Sequence, residues 1–168
     1  MIHVCSLARL HETVADSGAR HVISLLDDSF YIERPHSVAA ENHLRLRVHD
    51  ISVPLDGYVL PEEEHVADLL EFVRGWDRRA PLVVHCFAGI SRSTASAFAG
   101  ACALTPHRDE AIIAQALRRA SPTATPNIRI VSLADRLLGR DGRMIAAIET
   151  IGRGAMAAEA VPFRLELE

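Results

Sequence analysis

The sequence predicts an α/β fold: a central, mostly parallel sheet of four to five strands flanked by helices, with a helical C-terminal half. Three observations point to it. Short apolar runs alternate with amphipathic stretches up to residue 86, the order that builds parallel sheets through crossover helices. The run "APLVVHC" (80–86) is almost wholly apolar, as a strand covered on both faces is. After residue 92 the periodic segments are helical up to the tail. The 168 residues suit one domain, taken as residues 1–155 with a C-terminal tail over 156–168.

The elements follow in order. "IHVCSL" reads as a strand. "ARLHETVADSG" has helical spacing and stops at Gly18, a residue suited to end a helix. "RHVISLL" is a second strand. "DDSFYIERPHSVAAEN" is polar, contains Pro35 and reads as a loop with room for one helical turn. "HLRLRVHD" alternates apolar and polar, a strand with one face more exposed. Pro54 and Asp56-Gly57 mark a loop. Pro61 and three glutamates, Glu62 to Glu64, open a helix whose stripe holds Val66, Leu69, Leu70 and Val73. "RSTASAFAGACAL" is helical and rich in small residues, so it can approach a sheet closely. "HRDEAIIAQALRRA" places acids early and arginines late, as the helix dipole favours. "SPTATPN" is a loop. "IRIVSLADRLLGR" and "RMIAAIETIG" are two more amphipathic helices. The tail "VPFRLELE" reads as disorder or an edge strand.

Bulk properties exclude some functions. A net charge of −4 offers no basic field for nucleic acid or an anionic membrane. The longest apolar tract, "ASAFAGACAL", is far below the roughly 20 residues that span a bilayer. The start lacks the basic and apolar regions of a secretory signal. A cytoplasmic location follows as the expectation. The three cysteines, Cys5, Cys86 and Cys102, have no metal-type spacing and should be thiols in a reducing compartment. No metal is expected, the histidines 43 and 49 being poorly spaced for one.

Between the apolar strand and the small-residue helix lies "HCFAGISRS", 85–93. Ligands of open α/β sheets bind at this edge. A helix N-terminus presents unpaired N–H groups and partial positive charge. A loop curled about one centre turns its own N–H groups inward as an anion nest. Phe87, Ala88, Gly89, Ile90 and Ser91 would form it, with Gly89 giving the tight bend. Arg92 adds a planar fork suited to a phosphate edge. Cys86 lies at the base as a nucleophile, since negative charge on sulfur is favoured there. Ser93 can donate to the sulfur, and His85 can orient the loop through backbone.

These residues resemble the protein tyrosine phosphatase signature, His-Cys-x5-Arg-Ser/Thr, in the "HCxxGxSRS" form of the dual-specificity branch. His85, Cys86, Gly89, Ser91, Arg92 and Ser93 all coincide with it. The opening "IHVCSLARLHETVADSGARHVISLL" and the "TPN" at 125–127 resemble that branch too, so the likeness covers most of residues 1–138. It implies a phosphotyrosine-phosphatase-like fold, no cofactor, and a phosphorylated protein or small phosphomonoester as substrate. The tyrosine motif and tryptophan-containing acid loop of the large receptor-like enzymes are missing, so their substrate preference is not carried over.

The resemblance also implies a general acid, an Asp roughly thirty residues before the Cys. Asp56 lies 30 before Cys86 and Asp50 lies 36 before it. Spacing favours Asp56. Placement favours Asp50, at the carboxyl end of "LRLRVHD", and Asp56-Gly57 is also ordinary turn chemistry. Asp50 is the choice. Its neighbour His49 is expected to be exposed. Asn127 is expected to cap a helix, to brace the anion loop, or both. Two other functions fit part of the pattern: a phosphate-reading module without turnover, and a rhodanese-like sulfurtransferase, which does not require Arg at the sixth position.

Overall fold

The computed structural model describes residues 1–167. Five strands form one sheet: β1 (Ile2–Ser6), β2 (His21–Leu25), β3 (His43–Leu46), β4 (Leu82–Cys86) and β5 (Phe163–Leu165), in the order β3-β2-β4-β1-β5. The first four run parallel and β5 is antiparallel to β1. The C-terminal segment therefore supplies an edge strand.

Alternation along the strands decides which side each residue serves. Ile2, Val4, Ile23, Leu25, Leu82, Val84 and Cys86 enter the larger core. Cys5, Val22 and Val83 enter the smaller one. Helix α1 (Leu10–Ser17) covers the smaller core with Leu10 and Val14, and Gly18 ends it in the left-handed conformation, φ 68°. The other face carries α2 (Glu63–Gly75), α3 (Arg92–Leu104), α4 (Glu110–Ala120), α5 (Ile128–Leu137) and α6 (Arg143–Ile151). Helix α3 is buried along almost its whole length. Its small residues permit that: a Cβ on Gly100 would come within 3.5 Å of the Val73 side chain.

Two elements differ from the sequence reading. The strand expected over 43–50 stops at Leu46, because β2 offers its last ladder partner there and Leu26 donates to the Leu46 carbonyl at 3.2 Å. The helix expected from His107 begins at Glu110, where the Asp109 carboxylate accepts from the Ala111 N–H at 2.7 Å. Residues 105–108 form a turn instead, closed by Arg108 N–H to the Thr105 carbonyl at 3.0 Å. No helix among the described residues is long and apolar enough to cross a membrane.

Candidate active site

Strand β4 ends at Cys86 and α3 begins at Arg92, so residues 87–91 form a tight loop at the carboxyl edge of the sheet. Its carbonyls are drawn outward by donors from three separate segments. Leu7 N–H donates to the Phe87 carbonyl at 3.1 Å, and Ala160 N–H to Ala88 at 2.9 Å. Thr125 N–H donates to Ile90 at 2.9 Å, and Asn127 N–H to Ser91 at 3.2 Å. Fixing the carbonyls outward turns the amides inward. Among the described residues, the N–H groups of Phe87, Ala88, Ile90, Ser91 and Arg92 have no protein acceptor. That is an anion nest at a helix N-terminus.

The bend requires Gly89. Its φ is 75°, and a Cβ there would lie 2.8 Å from the Cys5 carbonyl carbon and 3.0 Å from its oxygen. Gly89 N–H donates to Cys86 Sγ at 3.3 Å, and Ser93 Oγ lies 3.1 Å from the same sulfur. The thiol is 2% exposed at the base of the loop. Arg92, 6% exposed, donates from Nη1 to the Val48 carbonyl at 2.8 Å. Its Nε is buried and has no partner, so the guanidinium at the foot of the loop keeps a donor without a protein acceptor.

His85 is held behind the loop by Ser24, which the sequence did not single out, and through it by His43, weighed from the sequence only as a metal ligand. Its Nδ1 lies 3.3 Å from the Cys86 carbonyl and its Nε2 2.6 Å from Ser24 Oγ. Ser24 Oγ in turn lies 2.8 Å from His43 Nε2. Hydrogen counting orders this chain. A carbonyl only accepts, so His85 carries its proton on Nδ1 and accepts at Nε2 from the Ser24 hydroxyl. His43 Nε2–H then donates to Ser24 Oγ, and its buried Nδ1 is left unpartnered. Burial pushes the His85 pKa down to about 4, against the opposing bond to the Cys86 backbone, with His43 and Arg92 adding to the lowering. Burial, then the charges of Arg45 and Arg34, pushes His43 down to about 4 as well.

The acid candidates separate. Asp50 Oδ1 accepts from Ser91 Oγ at 2.7 Å and from Asn127 Nδ2 at 2.8 Å. Asn127 also donates to the Ile51 carbonyl at 3.3 Å, while its Oδ1 caps α5 through Arg129 N–H at 3.0 Å and Ile130 N–H at 3.2 Å. Asp56 sits in an exposed turn beside Gly57, φ 81°, with no hydrogen bond to the loop. His49 is not the exposed residue expected. Its ring is partly buried, accepts Val59 N–H on Nδ1 at 2.8 Å, and packs against Tyr58 with centroids 4.8 Å apart. Those contacts, with His49 N–H to the Val59 carbonyl at 2.9 Å, close the 50–58 loop at its base.

Around the rim, Phe87 projects outward and packs on Phe30, ring centroids 4.9 Å apart. Cys5 and Cys102 are buried thiols pushed up to about 12 by burial. Ser24 had one sequence signal, a lone polar residue inside an apolar strand. The Ala160 brace had none, because a backbone N–H belongs to every non-proline residue.

Comparison with known proteins agrees with this geometry. Residues 50–121 match the protein-tyrosine phosphatase family profile. No curated protein matches the chain by sequence. Human DUSP28 shares the fold at 20% identity and TM-score 0.63, over 83% of this chain and 92% of that one. The PTP-2 phosphatase of Cydia pomonella does so at 20% identity and TM-score 0.62, over 80% and 84%. The Yvh1 phosphatase domain of Chaetomium thermophilum does so at 17% identity and TM-score 0.64, over 85% and 93%.

Proposed function

We propose that this chain, which resembles the protein tyrosine phosphatase superfamily in its dual-specificity-like branch, is a cysteine-dependent phosphatase. It hydrolyses phosphate monoesters, phosphotyrosine first and phosphoserine or phosphothreonine where the pocket admits them. The observation that carries the reading is the inward set of loop amides around Cys86, with the unpartnered Nε of Arg92 beside them. The catalytic domain, expected over residues 1–155, is taken to include β5 as well, because β5 pairs with β1.

The chemistry runs in two displacements. The Cys86 thiolate attacks phosphorus while the loop amides and the Arg92 fork hold the equatorial oxygens, where charge spreads in the transition state. Asp50 gives its proton to the leaving oxygen, and a cysteinyl-phosphate forms. Water then loses a proton to the Asp50 carboxylate and attacks phosphorus. The sulfur leaves as thiolate, its charge met by the Ser93 hydroxyl and the Gly89 N–H. Arg92 and the amides neutralise the phosphate, so the scheme uses no cofactor. A thiol nucleophile needs a reducing compartment, which suits the cytoplasm. The uncharged loop side chains Phe87, Ala88 and Ile90 suit an aryl or peptide phosphate better than a polyanionic headgroup.

The test is the pH–rate profile of p-nitrophenyl phosphate hydrolysis in EDTA. A bell in mild acid, abolished in Cys86→Ser and stripped of its alkaline limb in Asp50→Asn, is the expected result. Loss of that limb in Asp56→Asn instead moves the acid to Asp56. No turnover above Cys86→Ser overturns the reading in favour of a phosphate-binding module, and thiosulfate as substrate then tests sulfur transfer.

A further inference from the structure

The chain beyond α6 returns to the signature loop and is tied down at each step. Arg118 donates to the Gly152 carbonyl at 2.7 Å, rooting the segment on the 121–122 turn, whose Pro122 carbonyl it also holds at 2.8 Å. Gly154 N–H donates to Thr125 Oγ1 at 3.1 Å, and Ala155 N–H to the Pro122 carbonyl at 2.9 Å. The approach is close enough to need glycine: a Cβ on Gly154 would lie 2.5 Å from the Thr123 carbonyl. Further on, Ser6 Oγ donates to Glu159 at 2.6 Å and Ala160 N–H holds the Ala88 carbonyl.

This strap encloses a cleft of about 280 Å³. Asp50, Ile90, Ser91 and Thr125 line one side, and residues 153–157 line the other. Ile90 and Ser91 belong to the signature loop, so the cleft between loop and strap adjoins the proposed phosphate position. Arg153 is exposed there and makes no hydrogen bond or ion pair among the described residues. Glu159, the acid of the strap, is engaged with Ser6 and does not line the cleft. The strap thus offers one free cation followed by small or flexible apolar side chains, Ala155, Met156 and Ala157.

We propose that Arg153 binds a second anionic group of the substrate, carried by a residue flanking the phosphorylated one in a peptide. The proposal rests on the phosphatase reading and adds the substrate class. The anion is a carboxylate or a second phosphate, both of which an arginine fork accepts. A peptide suits the cleft better than an inositol headgroup. One arginine and an apolar wall match an extended backbone with one acidic neighbour, whereas several phosphates would need several cations.

The test measures binding, so it does not depend on turnover. Labelled phosphotyrosine peptides with a neutral flank, an acidic flank or a second phosphorylated residue are titrated against the Cys86→Ser chain, with and without Arg153→Ala or Arg153→Glu. The acidic or doubly phosphorylated peptide should bind about fivefold tighter than the neutral one, the scale of an exposed ion pair. That preference should vanish in Arg153→Ala and invert in Arg153→Glu. Which anionic peptide gains more identifies the group. A preference unchanged in Arg153→Ala overturns the proposal, as does no preference at all, no peptide binding, or stronger competition by soluble inositol phosphates. A preference that depends on Arg153 in a chain that does not hydrolyse p-nitrophenyl phosphate would leave the subsite standing and remove the phosphatase reading. Turnover without any such preference would do the reverse.

Discussion

Asn127 donates from its side-chain amide to Asp50 at 2.8 Å, across 77 positions of sequence, while its own oxygen caps α5. One residue thus positions the proposed acid and starts a helix. Two variants separate these tasks. Asn127→Ser keeps a capping oxygen and loses the amide donor, so stability should change by less than about 0.5 kcal/mol. Turnover should fall roughly tenfold as Asp50 loses a partner. Asn127→Ala loses both and should also cost about 1 kcal/mol. Denaturant midpoints and kcat for the pair decide the matter; unaltered kcat in Asn127→Ser would leave Asn127 as a cap alone.

Arg92 serves two masters in a similar way. Its Nη1 holds the Val48 carbonyl, ahead of Asp50, and its Nε is buried without a protein acceptor. A lysine can donate at one point but cannot span both. Arg92→Lys should lower kcat on p-nitrophenyl phosphate by about 10² to 10³, the scale of a lost transition-state donor. Kinetics within threefold of wild type would take Arg92 out of the mechanism.

Two glycines with nearly the same backbone angle give a controlled comparison. Gly89→Ala would force a left-handed alanine whose Cβ meets the β1 backbone at Cys5, and β1 cannot retreat without breaking its ladder with β4. Gly57→Ala imposes the same kind of angle with nothing within 4 Å. The first should lose more than about 2 kcal/mol and most tungstate binding; the second should cost about 1 kcal/mol and keep binding. Calorimetry and tungstate titration of both variants check this, and equal losses would mean that the angle, not the close approach, governs the loop.

Much of this site was legible from local pattern. The signature residues occur within nine consecutive positions, and the apolar run before them and the small residues after them fix the strand and helix that aim them. The acid is less legible: turn chemistry at Asp56-Gly57 and the spacing compete with Asp50, and the contacts of Asp50 with Ser91 and Asn127 arise only in the fold. The strand expected through residue 50 ends at Leu46 because its extent depends on where β2 stops, which alternation within 43–50 does not encode. Ser24 and His43 lie 61 and 42 positions before His85 and meet it only through the parallel register of β2 with β3 and β4. The strap is the least legible part, since it acts largely through backbone N–H groups and a single arginine.

That His85–Ser24–His43 chain also sets a pH limit. Folded, both rings have pKa values of about 4; unfolded, histidine returns to about 6.5. Between those values the unfolded chain binds more protons than the folded one, so stability falls as pH drops through that window and levels off below about 4. For the fully buried His85 the loss approaches about 3 kcal/mol. His43 adds less because it is partly exposed, and His3 and His21, also lowered by burial, act in the same direction. Protonating His85 would place a donor on Nε2 facing the Ser24 hydroxyl, which must then turn to donate elsewhere. His43 would have to change tautomer to accept it. Urea midpoints at pH 7, 5.5 and 4.5 should therefore decline steadily in the wild type and less steeply in His85→Gln, which cannot gain the proton. Parallel declines in the two proteins would show that other groups carry the acid sensitivity and that the histidine chain is not its source.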